Sequence, residues 1–522
     1  MKNVALMLVV CVLAFKASAQ DATDALRYSQ LTFGGTARGM GLAGAVGSLG
    51  ADITDLSINP AGLGLYRSSE VVLTPSLFLN SNTTNYLGTP SSSNLSKLDI
   101  ENFGLVFTHK VGESYGNSNR YGRRGYRQRP AEPSTSTSKW KTTSFAIAYN
   151  RLNNFNENFY YQGNNLNNSI TDAWAQELNA NGGNSPSDAV NNFPFDAGLA
   201  YADGLVSNFS NTNTGYAGTE PAGGVTQSES DQITGSQGEF DFSFGANYND
   251  RLYLGVTLGI PTINYNVNSY YSEVSDNSPS SNQFQNLSYD QQLSTTGNGF
   301  NAKFGIIYKV NDFLRLGIAA HTPTWYSLQD NYSSYLQGTI DSAGTNVEYG
   351  INSPYGSYSY SLVTPWRFVG SATILFKKYG FISADYEYVD YSQAYFNFND
   401  VSGASDIGYQ NQINQSITST FAPSSIFRVG AELALDEFRI RGGFAYYGTP
   451  YQGGQAGLGG DQSAQSISGG VGLRLEHVFI DAAYVYSMTN STYYPYAVDV
   501  NSPYVTEKTT TGNIVLSVGY KF

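Results

Sequence analysis

The sequence is poor in three things. Cysteine occurs once, at Cys11, and histidine only at His109, His321 and His477. Charged residues make up 13% of the chain, about half the share of an ordinary soluble domain. Beyond residue 19 no apolar run approaches the ~20 residues that a bilayer-spanning helix needs. Each shortage excludes something. A single cysteine rules out a disulfide framework and thiolate metal sites. Three scattered histidines, with no nucleophile elbow and no metal-ligand spacing, point to no enzyme, no metal and no cofactor. A formal net charge of −13 argues against nucleic acid as a partner.

What is abundant is tyrosine (41), glycine (55) and alternation. Few charges, many aromatics and no spanning helix suggest an all-β, outer-membrane barrel, whose interfaces carry aromatic girdles. The N-terminus fits export. Lys2 opens it, Val4 to Phe15 is apolar, and Ala17-Ser18-Ala19 gives an A-x-A cleavage site, so residues 1–19 read as a signal peptide.

Alternating stretches then recur to the end of the chain. They are Ser69–Asn80, Asp99–Lys110, Thr142–Tyr161, Gln237–Asn249, Leu252–Tyr270, Gly299–Val310 and Phe313–Leu328, followed by Tyr358–Phe376, Phe381–Phe396, Ser425–Leu435, Phe438–Tyr447, Ser466–Leu475, Val478–Met488 and Thr511–Phe522. That is fourteen antiparallel strands, an even number, as bacterial barrels require. Tight turns such as Asn249-Asp250-Arg251 and Asp436-Glu437 fall on one side of the alternation and long connectors mainly on the other. On that topology the N-terminal segment and the C-terminus start from the short-turn side. The last strand sets Ile514, Leu516, Val518, Tyr520 and Phe522 on one face, resembling the terminal signal of assembled outer-membrane barrels.

Three segments do not read as strands. Gly34 to Tyr66 is crowded with Gly and Ala and has neither strand nor helix period. It is expected to sit inside the enclosure that the strands build. The connector Gln162–Ser236 holds a helix candidate at Thr171–Ala180 and a partly apolar stretch at Phe193–Val206. It reads as a cap or as plain surface decoration. The connector Gly112–Lys139 interleaves Arg120, Arg123, Arg124, Arg127 and Arg129 with Tyr121 and Tyr126, and reads as a solvated loop or an anion-binding one.

Within the Gly-rich segment, Arg38-Gly39-Met40-Gly41-Leu42-Ala43-Gly44-Ala45 is followed by Asp52 and by Asn59-Pro60-Ala61-Gly62-Leu63. This resembles the N-terminal hatch of the FadL family of outer-membrane transporters for hydrophobic compounds, in its Bacteroidetes-type form. His321-Thr322-Pro323-Thr324 and Thr364-Pro365-Trp366-Arg367-Phe368 look like family strand motifs. The resemblance implies a 14-stranded barrel over residues 68–522, plugged by a hatch over residues 20–67, in a monomer surrounded by outer-membrane lipid. It implies passive uptake of hydrophobic small molecules, long-chain fatty acids first and aromatic hydrocarbons second. Asn59, Pro60, Ala61 and Gly62 would then be the gate or the plug's anchor. A fatty acid's carboxylate would need an inward cation, and alternation offers Lys303, Arg367, Arg428, Arg439 and Arg441. The plainer reading pairs these with lumen acids such as Asp385, Glu387 and Glu432. The family also includes barrels that bind protein partners, such as the PorV type of secretion component, and others labelled haemin receptors.

Overall fold

The computed structural model describes residues 21–111, 138–180, 183–208, 210, 212–219, 223–276, 284–342, 345–398, 404–453, 462–498 and 502–522. The leader expected over 1–19, and nearly all of the Arg-rich connector, lie outside the described residues.

Fourteen antiparallel strands form one closed sheet. The first seven are β1 (Glu70–Tyr86), β2 (Thr89–Lys110), β3 (Trp140–Asn154, resuming as Glu157–Asn165), β4 (Val225–Tyr248), β5 (Leu252–Ser275), β6 (Phe284–Lys309) and β7 (Leu314–His321, resuming as Trp325–Ser342). The other seven are β8 (Thr345–Asn352, resuming as Gly356–Val363 and Arg367–Leu375), β9 (Gly380–Asp390, resuming as Tyr395–Phe398), β10 (Pro423–Leu435), β11 (Phe438–Tyr447), β12 (Ala464–Arg474), β13 (Val478–Tyr493) and β14 (Val505–Lys521). Pairing of β1 with β14, Leu73 opposite Val518, closes the ring and leaves no edge.

Alternation decides which way each side chain points. On β4, Phe240, Phe242 and Phe244 face outward while Glu239, Asp241 and Ser243 are buried in the lumen. An outward face of this kind suits bilayer hydrocarbon. Its short-turn rim carries Trp140, Tyr308, Tyr379 and Phe522, and its other rim Trp325 and Trp366. Positive φ at Asn249 (56°), Asp250 (55°) and Asp436 (52°) closes the short turns at residue types that tolerate it.

Strand limits match the sequence pattern at the short-turn end and overrun it at the other. β4 begins at Val225 rather than Gln237, and β6 at Phe284 rather than Gly299. The extensions, such as Thr226-Gln227-Ser228-Glu229-Ser230, are polar on both faces. No hydrophobic alternation marks them, and ladder hydrogen bonds carry them. β1 and β2 likewise run on and meet at a tight turn, Leu87-Gly88.

The two family-like motifs are breaks, not continuous strand. β7 stops over Thr322-Pro323-Thr324 and β8 over Thr364-Pro365-Trp366, side by side. Proline supplies no N–H to the ladder. Around the breaks threonine hydroxyls take the place of ladder carbonyls as acceptors, with Ala302 N donating to Thr322 Oγ1 (3.0 Å) and Thr324 N to Thr364 Oγ1 (2.9 Å).

The N-terminal segment runs down the lumen from the long-loop half to the short-turn end. It comprises α1 (Ala22–Ser29), α2 (Ala37–Gly41), α3 (Asp55–Ile58) and a 3₁₀ turn (Pro60–Leu65), and it is almost wholly buried. The described chain therefore starts at the end opposite to the one expected. There Ala25, Leu26 and Tyr28 of α1 pack among apolar side chains of the long-loop half. Above the long-loop rim, α4 (Ile170–Asn179), α5 (Pro186–Asn192) and α6 (Ala197–Ala202) make a cap. It has its own core around Trp174, Leu178, Leu199 and Tyr289. The buried Glu273 ties α4 down, accepting hydrogen bonds from Ser169 Oγ (2.5 Å) and Ile170 N (2.8 Å). A last helix, α7 (Ala404–Thr420), comes from the β9–β10 connector and packs on α1.

Candidate functional site

The Asn59-Pro60-Ala61 turn sits where it does because three neighbouring strands turn glycines toward it. A Cβ on Gly305 of β6 would lie 2.0 Å from Asn59 Oδ1, and one on Gly255 of β5 would lie 2.1 Å from the Pro60 carbonyl. On β7, Gly317 presses on the Gly47 carbonyl. Asn59 locks the turn from within. Its Nδ2 donates to Gly47 O (2.6 Å) and Ile306 O (3.4 Å), and its Oδ1 accepts from Ala61 N (3.2 Å). Pro60 opens the 3₁₀ turn, where its missing N–H costs nothing. Gly62 lies against Asp55, whose Oδ2 would be 2.2 Å from any Cβ there.

Behind this turn two carboxyls share a buried site. Burial pushes both up. Asp52 is nonetheless held below the usual range by the Arg38 guanidinium, 3.5 Å away, and by hydrogen bonds from Thr54 and Thr36. Asp55 has less help. Burial, and then the Asp52 charge, hold it well above the usual range. Asp55 Oδ2 accepts from Asp52 N (3.2 Å), so the two neighbouring carboxyls are set apart by environment alone.

The five cations expected from alternation are placed as follows. Lys303 is buried and pairs with Glu239 and with Asp241 (3.2 Å). Arg367 and Arg428 are buried and share Glu387, at 2.5 and 2.7 Å. Arg441 bridges Glu432 and Asp481, both at 2.6 Å. Arg439 is half-buried near the short-turn rim, 3.7 Å from Glu432. Glu387 and Glu432 thus meet these cations, whereas Asp385 accepts from Gly47 N (2.9 Å) and holds the internal segment. Lys303, Arg367 and Arg428 draw close to one another around His321. Its Nε2 lies 2.9 Å from Ile58 O, with no serine or carboxylate in hydrogen-bond contact among the described residues. His477 and His109 are exposed.

Two cavities flank this charged belt. One, of about 40 Å³, is lined by Leu31, Phe33, His321, Arg367, Glu387 and Arg428. The other, of about 30 Å³, is lined by Tyr28, Leu152, Gln237, Lys303, Thr324 and Pro365. Each has room for a few water molecules at most.

Above the belt lies an aromatic chamber, which sequence reasoning did not locate. Its walls include Phe155, Tyr265, Tyr326, Tyr360 and Phe396, and α7 adds Ile413 and Ile417. Its contents are α1. Arg27 of α1 stacks 4.5 Å over the Tyr265 ring and pairs with Asp24. Asp24 is raised to about 7, chiefly by burial, which outweighs the Arg27 charge. The one available signal was Asp21-Ala22-Thr23-Asp24, a capping box opening an eight-residue helix.

The arrangement defines a class, a closed transmembrane-type barrel obstructed from inside by its own N-terminal segment. Comparison with known proteins agrees. The structure of a FadL homologue from Pseudomonas aeruginosa superposes with a TM-score of 0.52, covering 95% of this chain and 99% of that one at 13% identity. The toluene transporter TodX of Pseudomonas putida superposes with a TM-score of 0.50, covering 95% and 100% at 11% identity. At these identities the likeness is one of fold. No family model matches the sequence, and no curated protein does.

Proposed function

We propose that this protein is a bacterial outer-membrane channel for passive uptake of hydrophobic compounds, with residues 20–67 as its hatch and Asn59 to Gly62 as the gate. The observation that carries the reading is the seat of Asn59-Pro60-Ala61 on bare backbone at Gly255, Gly305 and Gly317, inside an apolar-faced barrel. Where the turn rests on glycines it is held by backbone contact and by the hydrogen bonds of Asn59, and release at that point breaks few side-chain contacts. The two cavities beside the charged belt, about 40 and 30 Å³, are too small for such a solute, so passage by this route needs the plug to move. The fold shared with a FadL homologue and a toluene transporter supports the solute class.

Long-chain fatty acids are the first substrate class and aromatic hydrocarbons the second. Arg367 and Arg428 are the leading carboxylate contacts of the five candidates. Both line the larger cavity beside the belt, and Arg428 Nε is buried with no hydrogen-bond partner among the described residues. Lys303 and Arg441 are each engaged by two acids. The protein works as a monomer and needs no cofactor.

The test is uptake into vesicles containing the purified protein, using a fluorescent long-chain fatty acid and radiolabelled toluene. Wild type should give saturable uptake of at least one, and Pro60→Ala should slow it several-fold. Deletion of Gly34–Gly62 should abolish saturation and leave a nonselective leak. Equal flux with and without the protein, for both solutes, sinks the reading.

A further inference from the structure

The outward face of the wall is not filled equally all round. Across β5 to β9 two neighbouring rows of side chains run at right angles to the strands. Leu254, Ile306, Ile318, Gly370 and Tyr386 stand in register from strand to strand. Phe304, Ala320, Phe368 and Tyr388 make the next row up. Two small residues, Gly370 and Ala320, interrupt the rows. Between them lies a groove of about 610 Å³, open to the bilayer, whose only polar side-chain atoms are the two tyrosine hydroxyls. It crosses five strands, a length of ~19 Å at ~4.8 Å per strand spacing. Half the hydrocarbon thickness, the reach of one leaflet's chains, is ~15 Å. A Cβ on Gly370 would meet nothing within 4 Å, so the groove is space that the wall leaves unfilled.

The floor of the groove is backbone. Gly255 and Gly305 line it, and their inner sides carry Pro60 and Asn59. One layer of backbone thus separates the seated turn from the bilayer. The low end of the groove is Leu254, three residues or ~10 Å along β5 from Arg251 at the short-turn rim. Cations collect there. Asn249 N donates to Lys139 O (2.7 Å) and Lys309 N to Arg251 O (2.8 Å), which gathers the ends of β3 to β6. Lys139, Lys141 and Arg251 are exposed, and Trp140 between the lysines is an interfacial anchor. The acids of this arc are engaged elsewhere, Asp250 with Arg67 (2.8 Å) and Asp312 with Lys309 (2.7 Å). Among the described residues no carboxylate pairs with Lys139, Lys141 or Arg251. Across the ring the short turns are acidic, at Asp436-Glu437 and at Glu476. The positive charge of the rim therefore lies on the groove's side of the barrel.

We propose that this side of the wall binds one anionic phospholipid from the leaflet at the short-turn rim, with its headgroup on Lys139, Lys141 and Arg251 and one acyl chain in the groove. The groove is continuous with the hydrocarbon-facing wall, so a molecule already in the bilayer reaches it and a soluble one does not. The two features together select the occupant. An apolar groove alone takes any chain, and a basic rim alone takes any anion. Joined over ~10 Å, they fit one molecule that carries both. Each Lys or Arg near a membrane surface favours anionic headgroups by about fivefold. The bound chain packs on the outer side of the backbone at Gly255 and Gly305, and so backs the seat of the Asn59-Pro60-Ala61 turn from the membrane. The inference needs the barrel to stand in a bilayer and is independent of which solute it carries.

The test uses full-length protein in mild detergent and native mass spectrometry. Dioleoyl phosphatidylglycerol is titrated against dioleoyl phosphatidylcholine, which has the same chains and no net charge. Phosphatidylglycerol should bind roughly tenfold more tightly or better, as two or three cations imply. Lys139→Gln, Lys141→Gln and Arg251→Gln together should remove that preference. Gly370→Leu fills open space, so the barrel should fold, and both lipids should weaken several-fold alike. A phosphatidylglycerol with a diazirine at mid-chain should crosslink to β6 and β7 in the wild type and lose that crosslink in Gly370→Leu. Equal binding of the two lipids by the wild type overturns the proposal, as does a crosslink that maps elsewhere on the wall or survives Gly370→Leu. Tighter retention of lipid A than of phosphatidylglycerol moves the occupant to the other leaflet, and a dimer abolished by Gly370→Leu makes it a second copy; either result overturns the assignment. Should Gly370→Leu fail to give a barrel, the wild-type crosslink map and the cation variant decide.

Discussion

The two halves of the lumen hold the same N-terminal segment by opposite means. In the lower half its turns press backbone on backbone at wall glycines and its Arg38 meets Glu432 of the wall, with small apolar clusters such as Leu56 and Leu63 against Val106 filling the spaces between. In the upper half the contacts are side chain on side chain, α1 in an aromatic chamber, with donors reaching for helix carbonyls. The lower half is specific and brittle, since its fit tolerates no added atom. The upper half is greasy and permissive, because apolar contact is non-directional and scales with area. On the uptake function proposed above, a gate that responds to a hydrophobic solute would use both: a surface the solute can compete for, and a seat that opens once disturbed.

The sharpest way to break the comparison is at the seat. Gly305→Val puts a branched side chain where even a Cβ would stand 2.0 Å from Asn59 Oδ1. Overpacking commonly costs ~1–3 kcal/mol, and here rigid backbone on both sides leaves no room to relax. The turn should be unseated, giving a large rise in single-channel conductance in planar bilayers, while a nitroxide placed on exposed Thr23→Cys of α1 changes little. Unchanged conductance would mean that the glycine contacts do not hold the gate.

Next come two substitutions that should separate the halves. Glu239→Leu removes one of the two acids that neutralise Lys303, and half-removal of a buried ion pair costs ~3–5 kcal/mol. Barrel unfolding, followed by heat-modified gel migration, should shift to markedly lower denaturant. Leu26→Ala removes comparable contact from α1, ~2–5 kcal/mol on the scale for core leucines. Its cost falls on helix docking, so the nitroxide should loosen while the barrel's unfolding midpoint stays put. If Leu26→Ala lowers the barrel midpoint as Glu239→Leu does, the upper half is structural and the contrast is lost.

The smallest effect is pH. Docked, Asp24 has its carboxyl raised to about 7 by burial, offset in part by Arg27 and reinforced by Asp21 and Asp330. Released into water it returns to ~3.9. The docked state therefore binds the extra proton between those values, and docking weakens as pH rises from ~4 to about 7, then levels off. Nitroxide mobility without ligand should climb modestly over that window and be flat above it. A fall in mobility would reverse the assignment.

Much of the barrel was legible in the sequence because alternation is a local signal and β strands display it directly. Phe240, Phe242 and Phe244 opposite Glu239 and Asp241 state which way β4 faces without any knowledge of its neighbours. Alternation also placed Lys303, Arg367, Arg428 and Arg441 inside the lumen. It failed where strands leave the apolar zone, as in residues 225–236, and at Thr322-Pro323-Thr324, where a run of strand-like residues hides a missing N–H.

By itself, then, the sequence determined the strand count, the facing of the wall and the small-residue character of the segment within it. These follow from spacing and side-chain size. The tertiary structure decided the rest. It set Gly255, Gly305 and Gly317, from three strands, under one turn, and gave each buried cation its acid. It brought Asn153, Gln237 and Arg367 to the end of a helix that begins more than 120 residues before the first of them. Such pairings depend on strand register around a closed ring, and register is fixed only when every strand has found its neighbour.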